Sequence, residues 1–168
     1  GGPIFQYRLH RLYEDREIVE KSARVHLSQG NPDKAQSAQA EKTVYWLKRA
    51  AKGNHAQAQL YLAALKIYGN GRYGIEKNVT DGVRWCKKSI KNGNAFAMAQ
   101  LGLWYERGDI GEKNTKKAVH WYRSAANKGS LEGQFQLSRC LAKGIGVSKS
   151  AEESFKLLRE AAEKGYPK

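Results

Sequence analysis

The sequence predicts an all-α fold, a short α-solenoid of antiparallel helix pairs with about four repeats of 36 residues. Three observations carry this expectation. The stretch Asn114 to Gly129, NTKKAVHWYRSAANKG, is written again upstream as NVTDGVRWCKKSIKNG and downstream as SAEESFKLLREAAEKG. The copies keep register: Trp85 and Trp121 are 36 residues apart, Leu157 holds the slot 36 further on, and Trp46 lies 39 residues before Trp85. A fixed period of roughly 20–50 residues marks a repeat array. Finally, no segment alternates apolar and polar residues with a period of two, while Ala, Lys, Leu and Glu favour helices.

The elements follow in order. Residues 4–29 read as amphipathic helix through Phe5, Leu9, Leu12, Val19, Ala23 and Leu27, with 1–18 as an N-terminal capping helix and 19–53 as a degenerate repeat. Asn31 is placed as an N-cap with Pro32 at the first helical position, and that helix runs through Trp46 to Gly53-Asn54. Repeats 54–93, 94–129 and 130–166 each supply a helix pair, and the whole of 1–168 is expected to be one repeat domain. The second helices open at Asn78, Asn114 and Ser150, with Asn78-x-x-Asp81 and Ser150-x-x-Glu153 written as capping boxes. They close at Asn54, Gly93, Gly129 and Gly165, residues suited to a left-handed cap. A helix of about a dozen residues is marginal alone. Paired and stacked, it buries both faces, with Ala50-Ala51, Ala125-Ala126 and Ala161-Ala162 allowing close approach and the Trp series expected to fill the core.

The chain carries 30 basic and 16 acidic residues, a net charge of +14. Residues 54–93 hold 7 basic against 2 acidic side chains, so the imbalance is sharpest in the second copy. Such an excess attracts nucleic acid, an anionic membrane surface or an acidic protein. No apolar run reaches the ~18 residues of a membrane-spanning helix. No signal peptide is visible, but Gly1-Gly2-Pro3 without a starting Met reads as an expression scar, so that absence says nothing about the compartment. Cys86 and Cys140 fall in different slots of different repeats and are expected to be unpaired structural thiols.

With these residues in place, the sequence resembles the Sel-one-like repeats, relatives of the tetratricopeptide repeats. The third copy supplies Ala97, Leu101, Gly102, Tyr105, Gly108, Lys117, Ala118, Trp121, Ala125, Ala126 and Gly129 of that family's pattern, with Asn114 at its acidic slot. The fourth has Leu157 for the Trp and Leu141 for the Tyr, and the second carries three extra residues in its loop. The resemblance implies a right-handed solenoid whose concave face is lined by first helices. It also implies a non-enzymatic adaptor for protein complexes, commonly bacterial and serving envelope processes, secretion or toxin immunity. That tilts the compartment towards periplasmic or secreted rather than cytoplasmic.

By analogy with tetratricopeptide geometry, the partner-binding residues are expected in the first-helix slots. In the second repeat these are Leu60, Tyr61 and Tyr68; in the third Phe96, Gln100, Leu103 and Arg107; in the fourth Phe135, Arg139 and Lys143. The inserted loop adds Arg72 and Tyr73 as contacts peculiar to this chain. Apolar and aromatic anchors with a cationic rim suit a peptide or partner helix. The expected partner is another protein, acidic in character, ahead of a membrane surface and of nucleic acid, with no small-molecule substrate and no cofactor. The competing reading is electrostatic: Lys87, Lys88 and Lys91 sit on neighbouring faces of one helix and could draw nucleic acid or anionic lipid. Stacking aromatics are not regularly interleaved with them.

No catalytic or metal site is assembled. His10, His26, His55 and His120 lack metal-like spacing, and no nucleophile has a base and an orienting partner. Gly69-Asn70-Gly71-Arg72-Tyr73-Gly74 matches the dinucleotide G-x-G-x-x-G, but that fingerprint works only between a strand and a helix. It is expected to be a repeat loop.

Overall fold

A computed structural model describes residues 32–163, with the side chains of 32–39 and Arg72 outside the description. The expected helix over 4–29, Asn31, His10, His26 and the Gly165 cap therefore lie outside the described residues. The chain forms two compact units, 1–43 and 44–168. Of the first, the structure describes part of one helix, α1 (Pro32–Lys52), which begins at the proline expected at its first position.

Within the second unit six further helices follow: α2 (Ala56–Tyr68), α3 (Val79–Lys91), α4 (Ala95–Arg107), α5 (Thr115–Asn127), α6 (Leu131–Lys143) and α7 (Ala151–Glu163). A 3₁₀ turn, Gly71–Tyr73, lies between α2 and α3. No strand occurs among the described residues, only an isolated bridge between Asn70 and Ile75. The architecture is an all-α solenoid of helix pairs, α2–α3, α4–α5 and α6–α7.

Caps set the helix lengths. Asn78 Oδ1 and Asn114 Oδ1 accept from the N–H groups of Asp81 and Lys117 at 2.8 Å, and Ser150 Oγ accepts from Glu153 at 3.3 Å. The first helices carry caps that the sequence reading did not name: His55, Asn94 and Ser130, each accepting from the N–H three residues on at 3.2 Å. Asn54, Gly93 and Gly129 take the expected positive φ after the second helices, at 64°, 86° and 77°.

Neither capping box closes in return. The Asn78 N–H donates instead to Lys66 O at 2.6 Å, and Asp81 is held by Lys66 and Arg84. The Ser150 N–H likewise donates to Leu141 O at 2.9 Å, and the Asn114 N–H to Tyr105 O at 2.8 Å. These three backbone bonds occupy equivalent places in successive pairs. Each ties the start of a second helix to the end of its first, so tertiary pairing takes the donor that a local box would use. At the other end of the first of these pairs, Ser89 Oγ donates to Ala56 O at 2.6 Å, which fixes α2 and α3 antiparallel.

Small residues meet where the two helices of each pair cross. A Cβ on Gly82 would lie 2.5 Å from Ile67 Cγ1 and 2.8 Å from Ala63 O, and one on Gly102 would lie 2.7 Å from the Tyr122 ring and 3.0 Å from Ala118 O. In the last pair Ser154 Oγ donates to Ser138 O at 2.9 Å. Ala63/Gly82, Gly102/Ala118 and Ser138/Ser154 are thus three versions of one contact. Between pairs, Gly133 seats against Ala125 and Ala126, in line with the expected role of the paired alanines.

The Trp series does not form the core. Trp46 is exposed, and Trp85 and Trp121 are half-buried. The next residue faces inward instead: Cys86 and Tyr122 are wholly buried, as is Trp104 of α4. Trp85 caps the edge of the cluster around Leu62, Leu65 and Ile75, and Trp121 meets His120 edge-on at 5.7 Å. The buried thiols Cys86 and Cys140 are unpaired, and burial pushes them up to about 12 and about 11.

Gly133→Ala is expected to lower unfolding stability by about 1–3 kcal/mol through overpacking against α5. Gly71→Ala, which meets nothing within 4 Å, is expected to stay within about 0.5 kcal/mol. Urea titration of both variants checks the contrast.

Candidate functional site

The first helices α2, α4 and α6 position the residues expected to bind a partner, and they do so unequally. Helix α2 (AQAQLYLAALKIY) is apolar almost all round, and a helix of that kind is buried on nearly every face. Leu60 and Tyr61 are accordingly buried and offer no open surface, and Ile67 is taken by the contact with Gly82. Tyr73 is also drawn inward: the bonds between Asn70 and Ile75 fold the inserted loop back, so that Tyr73 packs on the core beside buried Ile75. The glycine-rich loop follows a helix rather than a strand, so it is a repeat turn and not a nucleotide cradle.

Tyr68, at the exposed end of α2, donates its hydroxyl to Asp109 Oδ2 at 2.8 Å, linking two repeats. Burial and that carboxylate push its pKa up to about 12.

On α4 and α6 a continuous polar ladder crosses between first helices. The Tyr122 hydroxyl donates to Glu106 Oε2 at 2.7 Å, and Arg139 reaches the same oxygen at 2.5 Å. Arg139 Nε also donates to Gln136 Oε1, and Gln136 Nε2 to Glu132 Oε1, both at 2.9 Å. The Glu106 side chain is only 16% exposed and that of Arg139 28%. Burial alone would raise the Glu106 pKa, but the Arg139 guanidinium and the Tyr122 hydroxyl outweigh it and hold the carboxyl below its usual range. Burial works against the Arg139 charge too, and Glu106 more than restores it. Arg139 is therefore a structural cation rather than a free one.

Around this ladder Phe135 is 37% exposed, Phe96 and Gln100 are half-buried, and Arg107 and Lys143 are exposed. Leu103, also half-buried, packs against the cluster of Val119, Tyr122 and Leu137, which makes it a support of the surface more than a contact. The sequence reading missed Tyr122 and Asp109 as members of this face. Tyr122 lies beside the repeat Trp, and the Tyr68–Asp109 bond joins residues 41 apart, which no local pattern signals.

No group of three His, Cys, Asp or Glu side chains among the described residues could hold a metal ion. No described helix is long and apolar enough to cross a membrane. His120 sits on the surface of α5.

Stacked pairs of 13-residue helices with a side-chain face of this kind define a helical-repeat scaffold. The Sel1 repeat model matches residues 28–55, 56–94, 95–130 and 131–166, and the chain belongs to the Sel1 repeat family. The chain is similar to a Sel1 repeat protein from Oxalobacter formigenes at 31% identity and a TM-score of 0.67, over 74% of this chain and 48% of that one. It is similar also to c5321, a protective antigen of uropathogenic Escherichia coli strains displaying an SLR fold, at 37% identity and a TM-score of 0.60, over 74% and 26%. Helicobacter pylori cysteine rich protein B shares the fold at 21% identity and a TM-score of 0.58, over 83% of this chain and 95% of that one. No curated protein sequence matches the chain. The chain thus spans about half the length of the first of these relatives and about a quarter of the second. Sel1 repeat proteins mediate protein–protein interaction and are typically non-catalytic scaffolds.

The Glu106 tie gives a pH signature. Because the folded pKa lies below the ordinary 4.5, its stabilisation is full above that value and is lost as pH falls through the lowered pKa. Glu106→Gln is expected to cost about 1.5–3 kcal/mol at pH 7, the worth of hydrogen bonds to a charged group. The gap to the unsubstituted chain should narrow at pH 3, measured by urea midpoints at both pH values.

Proposed function

We propose that this chain is an adaptor that binds a segment of a partner protein on the first-helix face of α4 and α6. The observation that carries the reading is the exposed Phe135 ring beside a polar ladder whose side chains are already locked by one another. An aromatic anchor in a pre-ordered frame is what a binding hot spot requires, because little side-chain entropy remains to be lost on association. Arg107 and Lys143 form the cationic rim, so the partner segment is apolar at its centre and acidic at its edges. Arg72, in the sequence of the inserted loop, remains a candidate contact of the same charge, and Tyr68 and Phe96 continue the aromatic surface towards the second repeat. Gln100 supplies an adaptable polar contact between them. Leu103 supports the face from beneath, whereas Leu60, Tyr61 and Tyr73 are taken up in the packing of α2 and its loop. The relatives are bacterial, which favours an envelope, secretion or toxin-immunity role.

The test is site-specific photo-crosslinking in cells of the source organism. A crosslinking amino acid at position 135 or 107 is expected to trap one discrete partner that position 123, on the exposed side of α5, does not. Crosslinks arising from position 123 and not from 135 or 107 would overturn the reading.

A further inference from the structure

A second recessed surface lies on the other helix of the second repeat. An open cavity of about 630 Å³ runs along α3, where positions 80, 83, 84, 87, 88 and 91 present a single face. Arg84, Lys87, Lys88 and Lys91 line it, and no acidic side chain does. The apolar part is Val79 and Val83 from α3, with Tyr105 of α4 and Ile110 of the following loop.

Two of the four cations are engaged locally. Arg84 pairs with Asp81, and the Lys88 ammonium lies 4.4 Å from the Trp85 ring centroid. Lys87 and Lys91 are exposed and make no ion pair among the described residues. Like charges this close on one helix are mutually unfavourable without a counter-charge.

The repeat itself does not require them. One period on, the slots of Arg84, Lys87, Lys88 and Lys91 hold His120, Arg123, Ser124 and Asn127; two periods on they hold Lys156, Arg159, Glu160 and Glu163. All three second helices fold and pair alike. The recess is equally particular to its place, where Ile110 of the third repeat meets α3. In the next one Gly146 takes the slot of Ile110 and presses on Thr115, the counterpart of Val79, so closely that any Cβ would clash. A side chain at Ile110 lines an opening there instead.

We propose that this cavity docks an acidic amphipathic segment of a partner protein. Its apolar side chain enters between Val83, Tyr105 and Ile110, and its carboxylates meet Lys87 and Lys91. Nucleic acid fits less well, because the one aromatic in the recess already has Lys117 Nζ 5.5 Å from its ring centroid and bases need open faces on which to stack. A lipid surface would meet the lysines without reaching the apolar floor. The surface lies apart from the first-helix face and does not rest on that assignment.

The probe is a Glu/Ala helical peptide with two Leu anchors at i and i+4, titrated into the isotope-labelled chain and followed by amide NMR shifts. Saturable shifts at Val83, Lys87, Tyr105 and Ile110 are expected. Lys87→Glu/Lys91→Glu should weaken binding about tenfold or more, as loss of charge complementarity does. Replacing the peptide's Leu anchors with Ser should weaken it as well, and Arg123→Ser, on the exposed side of α5, should leave it unchanged. Thermal melts confirm that the exposed substitutions stay folded. The proposal is overturned if no saturable shifts occur at the cavity, or if the charge-reversed chain binds equally. It is overturned also if an oligothymidylate or phosphatidylserine vesicles bind more tightly than the peptide at about 150 mM salt, where phosphate-driven binding has already weakened.

Discussion

The close crossing of the two helices in each pair is the constraint on which the rest depends. At Ala63/Gly82, Gly102/Ala118 and Ser138/Ser154 the backbones approach until nothing larger than a hydroxymethyl remains between them. That approach brings the N–H of each second-helix cap to a carbonyl near the end of the first helix. It also presses Tyr122 under α4, where its hydroxyl reaches Glu106. The position of Glu106 then fixes Arg139, and Arg139 fixes Gln136. The polar face of α4 and α6 is thus a consequence of backbone spacing, passed outward one side chain at a time.

The two surfaces proposed for binding differ in how they arise from this spacing. The first-helix face is built on positions that the repeat supplies in every copy, and its character comes from what fills them. The α3 cavity exists because two successive repeats each break the pattern once, the second with a concentration of lysines on its helix and the third with an Ile where the fourth has Gly. One surface is a variation within the repeat and the other a departure from it. An adaptor with both could hold two acidic segments at once on opposite helices of its pairs.

Much of this fold was legible in the sequence, because capping chemistry is local. Asn78, Asn114 and Ser150 open their helices, and Asn54, Gly93 and Gly129 close them, as the residue types dictate. The inward face was harder to read. Trp121 and Tyr122 are neighbours about 100° apart on one helix, either of which suits a core; the crossing at Gly102 has room for the ring of Tyr122 and decides between them. Helix α2 gave no periodic cue to the exposure of Leu60 or Tyr61, since nearly every position is apolar. The capping boxes failed for a tertiary reason, in that Lys66 O and Leu141 O claim the donors. Arg139 reads as a free cation until the fold brings Glu106, 33 positions away, within reach.

The claim that small residues at the crossings set the whole arrangement is tested most directly by substituting Ala118, whose carbonyl faces Gly102. Urea unfolding of Ala118→Leu should show a loss of about 3 kcal/mol or more, the upper range for overpacking a closed contact. Arg123→Leu, on the exposed side of the same helix, should remain within about 0.5 kcal/mol. Equal stability of the two variants would contradict the account.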